Sequence, residues 1–375
     1  MKRIIHIITG LSDGGAEAVL YRLCYHDKVN LHIVISLMDK GKYGSLLEDM
    51  GVQVYCLDMP AGKIRFAALI KLYKLIRQLK PDVVQTWMYH ADLIGGLMAR
   101  VAGMDNVFWN IRHTTLEPGK SKKTTILIAK LCAYLSAFIP KGIVCCAQEA
   151  VRVHSLLGYK ASKMIVIGNG YDLEFFKPNY DLMVKFRNEL NVESGTVLLG
   201  MVGRFDPQKD HFGLLATLSA VKSSISDFKF SLIGRDLNIT NTALNNEIKK
   251  LDLQSNLLLL DQRTDIASVM NGLDIHVLSS AFGEAFPNVL AEAMACGTPC
   301  ITTDVGDAAV IVGDTGWVVP PKDPQALAKA MFEAIEEKQD NPQAWQARKK
   351  ACRERIVDNF SIKKMVEAYH QVWFN

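Results

Sequence analysis

At 375 residues, 49% hydrophobic and 22% charged, the chain is longer than one usual domain and can fill two cores, which excludes a disulfide-stapled mini-protein. Its eight cysteines show no paired C-x-x-C spacing and no apolar segment with a cleavage site opens the sequence, so a reducing cytoplasm is expected and a zinc site is not. The net charge of +4 hides an asymmetry, because residues 1–180 carry 23 Lys/Arg against 14 Asp/Glu while residues 181–375 carry 20 against 25; the halves are expected to face different partners, nucleic acid not among them.

In chain order, strand-like runs alternate with helix-like ones. RIIHIIT (3–9) precedes GGAEAVLYRLCYHD, LHIVISL (31–37) precedes YGSLLEDMG, and VQVYCLD precedes a helical stretch over 65–80. DVVQTW, NVFWNI, GIVCCA and MIVIGNG continue the series, and YDLEFFKPNYD then reads as a polar linker near residue 178. The pattern restarts with TVLLGMVG (196–203), FKFSLIG (228–234), NLLLL (256–260), DIHVLSS (274–280), TPCITTD (298–304) and GWVVP (316–320). Such alternation predicts two Rossmann-like doubly wound α/β domains, 1–177 and 178–360, facing across a cleft. Ligands of open α/β sheets bind beyond the carboxyl ends of the strands, so the chemistry is sought in the loops that follow them. SIKKMVEAYHQVWF (361–374) has Met365, Ala368, Tyr369 and Val372 at helical spacing and is assigned back to the first domain.

Several of these loops carry candidate residues. The first strand ends in Gly10-LSD-Gly14-Gly15, where a glycine pair opening a helix would let an oxyanion approach backbone N–H groups; a plain tight turn is the alternative. Their spacing is not the dinucleotide pattern G-x-G-x-x-G, although Asp39 stands where a ribose-binding acid would. TVLLGMVG runs straight into Arg204-FDPQ-Lys209, two cations suited to clamp a diphosphate or else merely solvated. There is no Asp-x-Asp in the sequence, so no metal and no cofactor is expected. In AFGEAFPNVLAEAMACG, Pro287 suits a first helical turn and Gly297 with Pro299 ends the helix, which puts Glu284 just before its N-terminus. Glu292 lies two turns in on a largely apolar face, where paired ribose hydroxyls or solvent would have to satisfy it. His90 and His113 are read in strand-end loops, as acceptor-facing groups or as ordinary surface or helix-capping residues. Two basic stretches, 63–80 and 119–142 with Lys120, Lys122 and Lys123, are too interrupted to span a bilayer; they would lie on an anionic membrane surface or form outer helices.

GRFDPQKDH from Gly203, SSAFGEAFPNVLAEAMACGTPCITTDVGD from Ser279 and GWVVPPKDPQALA from Gly316 together resemble the retaining glycosyltransferases of family 4, which have the GT-B fold. GLSDGGAEAVLYRL near the start adds a weaker signal. The resemblance implies that Arg204 and Lys209 meet the donor diphosphate, that Glu292 holds the nucleotide ribose and that Glu284 holds the transferred sugar. It also implies backbone contacts from Phe286, Asn288 and Val289 at the helix N-terminus, from Gly203, and from Gly14 and Gly15. His113 fits the family pattern loosely, and Gly234-Arg235-Asp236 departs from the family's glycine-rich turn. The expected reaction is retaining, metal-independent transfer of a hexose from a UDP- or GDP-sugar to a hydroxyl of a lipid-linked saccharide, in bacterial surface polysaccharide assembly. The enzyme is expected in the cytoplasm with peripheral contact to the membrane. A nucleotide-sugar epimerase of similar fold is the alternative, and an NAD-dependent oxidoreductase a weaker one.

Overall fold

The structure, a computed structural model, describes residues 1–114, 116, 122–225 and 227–375. Lys120, one of the cations of the second basic stretch, lies outside the described residues. The chain divides into two compact units, Met1–Gly170 with Ile362–Asn375, and Tyr171–Ser361.

The first unit holds seven parallel strands, β1 (Arg3–Ile8), β2 (Leu31–Ser36), β3 (Gln53–Cys56), β4 (Val83–Trp87), β5 (Val107–Ile111), β6 (Gly142–Cys145) and β7 (Met164–Val166), in the order β3-β2-β1-β4-β5-β6-β7. Strand order reverses between β1 and β4, and these central strands are buried along almost their whole length, with polar His6, Gln85 and Thr86 among their buried residues. The C-terminal helix Ile362–Phe374 packs in this unit, burying Met365, Tyr369 and Trp373, one turn apart each, while Ala368 and Val372 are half-buried against the same cluster. Each large side chain so buried contributes about 1.5–3 kcal/mol. Polar ties fix the helix in rotation: Trp373 Nε1 donates to Gln85 Oε1 at 2.9 Å, and the Tyr369 hydroxyl accepts from Asn110 Nδ2 at 2.7 Å.

The second unit holds β8 (Val197–Val202), β9 (Phe228–Ile233), β10 (Leu257–Leu259), β11 (Ile275–Leu278), β12 (Cys300–Thr303) and β13 (Trp317–Val319), all parallel, in the order β10-β9-β8-β11-β12-β13. The polar connection around 171–178 is part of this unit. Arg353 Nη1 donates to the Phe176 carbonyl at 3.0 Å, and Asn271 bonds the backbone of Lys177 and Asn179, so the second unit grips a segment whose composition reads as free linker. Among the described residues no helix is long and apolar enough to cross a membrane.

Candidate active site

At the carboxyl end of β8 the chain turns at Gly203 and Arg204, and Phe205 N–H bonds back to Arg235 O at 2.9 Å. Asp206 then caps a short 3-10 turn, Pro207–Lys209, by accepting from Gln208 N–H at 2.9 Å. Asp210 follows in the left-handed region (φ 51°) and caps the helix His211–Lys222 through Gly213 N–H. These two caps aim Lys209 back across the strand end. A Cβ on Gly203 would stand 3.3 Å from Lys209 Cε, so the glycine leaves room for the lysine stem.

Lys209 Nζ reaches Glu284 Oε1 at 2.5 Å, and the same oxygen accepts from the Ser280 hydroxyl at 2.7 Å. The two charged side chains are 14% and 10% exposed, which makes this a partly desolvated ion pair rather than a surface one. Its loop is tied down at several points. Ser279 Oγ donates to Lys209 O at 2.8 Å, Ala281 N–H to Gln208 O at 2.8 Å, and Thr303 Oγ1 to Ser280 O at 2.6 Å. Gly306, at φ +63°, lets the turn after β12 press against this loop, since a Cβ there would fall 2.3 Å from the Glu284 carbonyl oxygen.

Pro287 is the N-cap of the helix Asn288–Ala295 rather than a residue of its first turn, with an extended ψ of 97°. Phe286 is buried edge-on against Phe360, ring centroids 5.5 Å apart, and the Tyr171 hydroxyl donates to Asn288 Oδ1 at 2.6 Å. Val289 and Glu292 are half-buried on this helix. The first N–H groups of any helix lack intrahelical acceptors, so this N-terminus beside Glu284 favours an anion.

The two cations are therefore engaged. Arg204, 53% exposed, holds Asp206 at 3.0 Å, and Lys209 holds Glu284. An ammonium has three donors, so Lys209 can keep Glu284 and still meet a phosphate oxygen. Two histidines lie within reach of its charge. Burial, reinforced by Lys209, pushes His276 down to about 3 and His211 down to about 4. Both rings stay neutral near pH 7, and neither His276 nitrogen has a hydrogen-bond partner among the described residues.

In the first unit Gly14 is the extended N-cap of the helix Gly15–His26, and the Glu17 carboxylate folds over it where a Cβ would collide. The helix N-terminus thus already meets a carboxylate of its own chain, which an incoming oxyanion would have to displace. His113 is exposed just beyond β5. Its neighbour Arg112 is locked, with Nε on Asn110 Oδ1 at 2.9 Å, Nη1 on Asn169 Oδ1 at 2.5 Å and Nη2 on the Tyr369 hydroxyl at 2.6 Å. Beneath lies a buried polar chain. Trp87 Nε1 donates to His6 Nδ1 at 3.2 Å, which leaves the His6 proton on Nε2 to meet His32 Nδ1 at 2.8 Å; His32 Nε2 then faces Asp27 Oδ2 at 3.0 Å. Burial opposes the Asp27 charge, but bonds from His32, Asn30 and His370 outweigh it and hold the carboxyl below its usual range. His6, His32 and Cys24 form a cluster of metal-ligating types; His6 and His32 bond each other and burial pushes the Cys24 thiol up, so the trio serves the core.

The second unit thus brings Gly203, Lys209 and Glu284 together, with Arg204 on the adjoining turn. Gly14, Gly15 and His113 belong to the first. Sequence reasoning missed Ser280, Asp206 and Tyr171. The serine pair ending DIHVLSS was the one available signal, whereas nothing local marks Tyr171 as the partner of a residue 117 positions away.

Residues 13–175 match the family model described as Glycosyltransferase Family 4, and residues 196–337 match that described as Glycosyl transferases group 1. The chain is 28% identical over 313 residues to the UDP-Gal:alpha-D-GlcNAc-diphosphoundecaprenol alpha-1,3-galactosyltransferase of Escherichia coli, covering 82% of this chain and 79% of that one. It is 27% identical over 283 residues to the capsular polysaccharide biosynthesis glycosyltransferase CapM of Staphylococcus aureus, covering 72% and 71%. Its fold is that of Anabaena HepE, solved in complex with UDP, with a TM-score of 0.85 at 21% identity over 98% of each chain. The chain belongs to the family 4 glycosyltransferases of GT-B fold.

Proposed function

We propose that the protein transfers a hexose, with retention of anomeric configuration and without a metal, from a UDP- or GDP-sugar to a hydroxyl of a lipid-linked saccharide in surface polysaccharide assembly. The observation that carries this reading is the Lys209–Glu284–Ser280 cluster at the ends of β8 and β11, where the second sheet reverses its strand order. A cation held there beside a helix N-terminus stabilises the departing diphosphate. Glu284 holds the transferred sugar and Glu292 the ribose; Gly203 and the amides of Phe286, Asn288 and Val289 contact the donor. Gly14 and Gly15 also approach the donor once Glu17 moves, and His113 acts near the acceptor.

The acceptor oxygen forms its bond to the anomeric carbon on the face from which the diphosphate leaves, and its proton passes to the departing phosphate oxygen. No side-chain nucleophile is required. The lipid-linked acceptor follows the substrate in the name of the Escherichia coli relative, and cysteines without paired C-x-x-C spacing suit a reducing cytoplasm. Peripheral contact with an anionic membrane is assigned to the basic stretches, whose helices Phe66–Leu79 and Lys123–Leu135 expose Phe66, Ile70, Leu131 and Tyr134.

The test is incubation with a panel of nucleotide sugars and a diphosphate-lipid disaccharide in excess chelator, with NMR of the product. Transfer with an α-linked product from an α-linked donor is expected. Epimerised donor with no transfer would instead establish the epimerase.

A further inference from the structure

A cavity of about 320 Å³ opens in the first unit beyond the carboxyl ends of β1 to β4, the side where this sheet reverses its strand order. Its wall is aliphatic, with Leu37, Ile64, Leu93 and Leu127 contributed by four different segments, and no carboxylate lines it among the described residues. Ile64 and Leu127 stand 64% and 69% exposed. Apolar surface left open in this way marks a binding groove. Lys63 lines the cavity without a carboxylate partner among the described residues, and Lys122 and Lys123 are exposed at the start of the helix that carries Leu127. His90, at the start of the helix Tyr89–Val101, completes the wall as a half-buried ring.

The chemistry selects the occupant. A mostly aliphatic wall, whose side-chain polar groups among the described residues are those of Thr9, Lys63, His90 and Thr124, offers too few donors and acceptors for the many hydroxyls of a sugar, and a concave cavity does not match the broad surface of a bilayer. A hydrocarbon chain ending in a strong anion satisfies both the wall and Lys63. We propose that the cavity binds the isoprenoid segment next to the diphosphate of a polyisoprenyl diphosphate acceptor, with Lys63 on the diphosphate. At about 320 Å³ it lies near the lower end of small-molecule sites, so it takes the first few isoprene units and leaves the rest of the chain outside. The assignment rests on the lipid-linked acceptor proposed above.

The full chain, held in saturating UDP, is titrated calorimetrically with farnesyl diphosphate, farnesol and inorganic diphosphate. Farnesyl diphosphate is expected to bind at least ten-fold more tightly than inorganic diphosphate. The doubly substituted Ile64→Glu/Leu127→Glu chain should lose at least ten-fold of that affinity, as should Thr124→Trp, which fills the cavity from an exposed position; Leu156→Glu, an equal change on an exposed residue elsewhere in the unit, should lose none. Lys63→Met should weaken farnesyl diphosphate while leaving farnesol unchanged. Equal binding of the farnesyl and inorganic compounds overturns the proposal. So does a Glu double variant that keeps its farnesyl diphosphate affinity but no longer floats with phosphatidylglycerol vesicles, which would make the face a membrane contact. A chain that binds farnesyl diphosphate as expected but turns over no nucleotide sugar refutes the transferase reading and leaves the cavity's ligand standing.

Discussion

Lys209→Met separates what the Lys209–Glu284 pair does for the fold from what it does for the reaction. The pair is 2.5 Å long with side chains 14% and 10% exposed, so the substitution leaves a nearly buried carboxylate without its cation. Removing one partner of such a pair costs about 3–5 kcal/mol, which for a unit of this size lowers its melting temperature by roughly 10 °C. The same change withdraws a cation from the leaving diphosphate, a loss expected to slow turnover by about 10²- to 10³-fold. Adding Glu284→Gln removes the orphaned charge while the amide can still meet Ser280. The double variant should therefore regain most of the lost stability, with a coupling of about 2 kcal/mol or more, and regain none of the turnover that depends on a cation. Thermal unfolding and single-turnover release of the nucleotide diphosphate measure the two effects side by side. Turnover that recovers along with stability would refute the reasoning, because Lys209 would then act only by holding Glu284 in place. Turnover within a few-fold of the parent in Lys209→Met would refute it too.

Three further predictions use the same assays. Arg204→Ala removes an exposed cation whose bond to Asp206 contributes at most about 1 kcal/mol, so turnover should fall about 10²- to 10³-fold at nearly unchanged stability. Gly306→Ala forces a left-handed φ and a Cβ against the Glu284 carbonyl, and should cost more than about 1–3 kcal/mol together with activity; an unaffected variant would show that the turn does not support the site. Stability should fall as the pH is lowered from about 6.5, the usual histidine value, because the unfolded chain binds protons that the folded one refuses: His154 and His211 are pushed down to about 4 and His276 to about 3. Each contributes a loss of about 1.5 kcal/mol between pH 6.5 and 5. His276→Leu should flatten its share of that slope in denaturant titrations, and an unchanged slope would contradict burial as the cause.

Much of this protein is legible locally. The strand-like runs from RIIHIIT to GWVVP each contain a strand, because an apolar run long enough to cross a covered sheet, bounded by glycine, proline or polar residues, is itself the physical requirement for a buried parallel strand. The places of Arg204, Lys209 and Glu284 in loops after β8 and β11, and of Glu292 on the helix that follows, are likewise readable, since an apolar run followed by glycine and a helix start marks where a strand ends.

What the sequence could not decide is who meets whom. Lys209 and Glu284 are 75 positions apart and pair only because β8 lies beside β11 in the sheet. Read along the chain, Lys209 is a free cation and Glu284 a free acid; folded, they neutralise each other. Tyr171 on Asn288 and the Trp87–His6–His32–Asp27 chain likewise join residues from separate elements. So does the cavity beyond β1 to β4, which gathers Leu37, Lys63, His90 and Leu127 from segments that share no local pattern. Local sequence sets backbone conformation through sterics and periodic burial, whereas the partner of a side chain at a strand end is set by strand order, a property of the folded sheet alone.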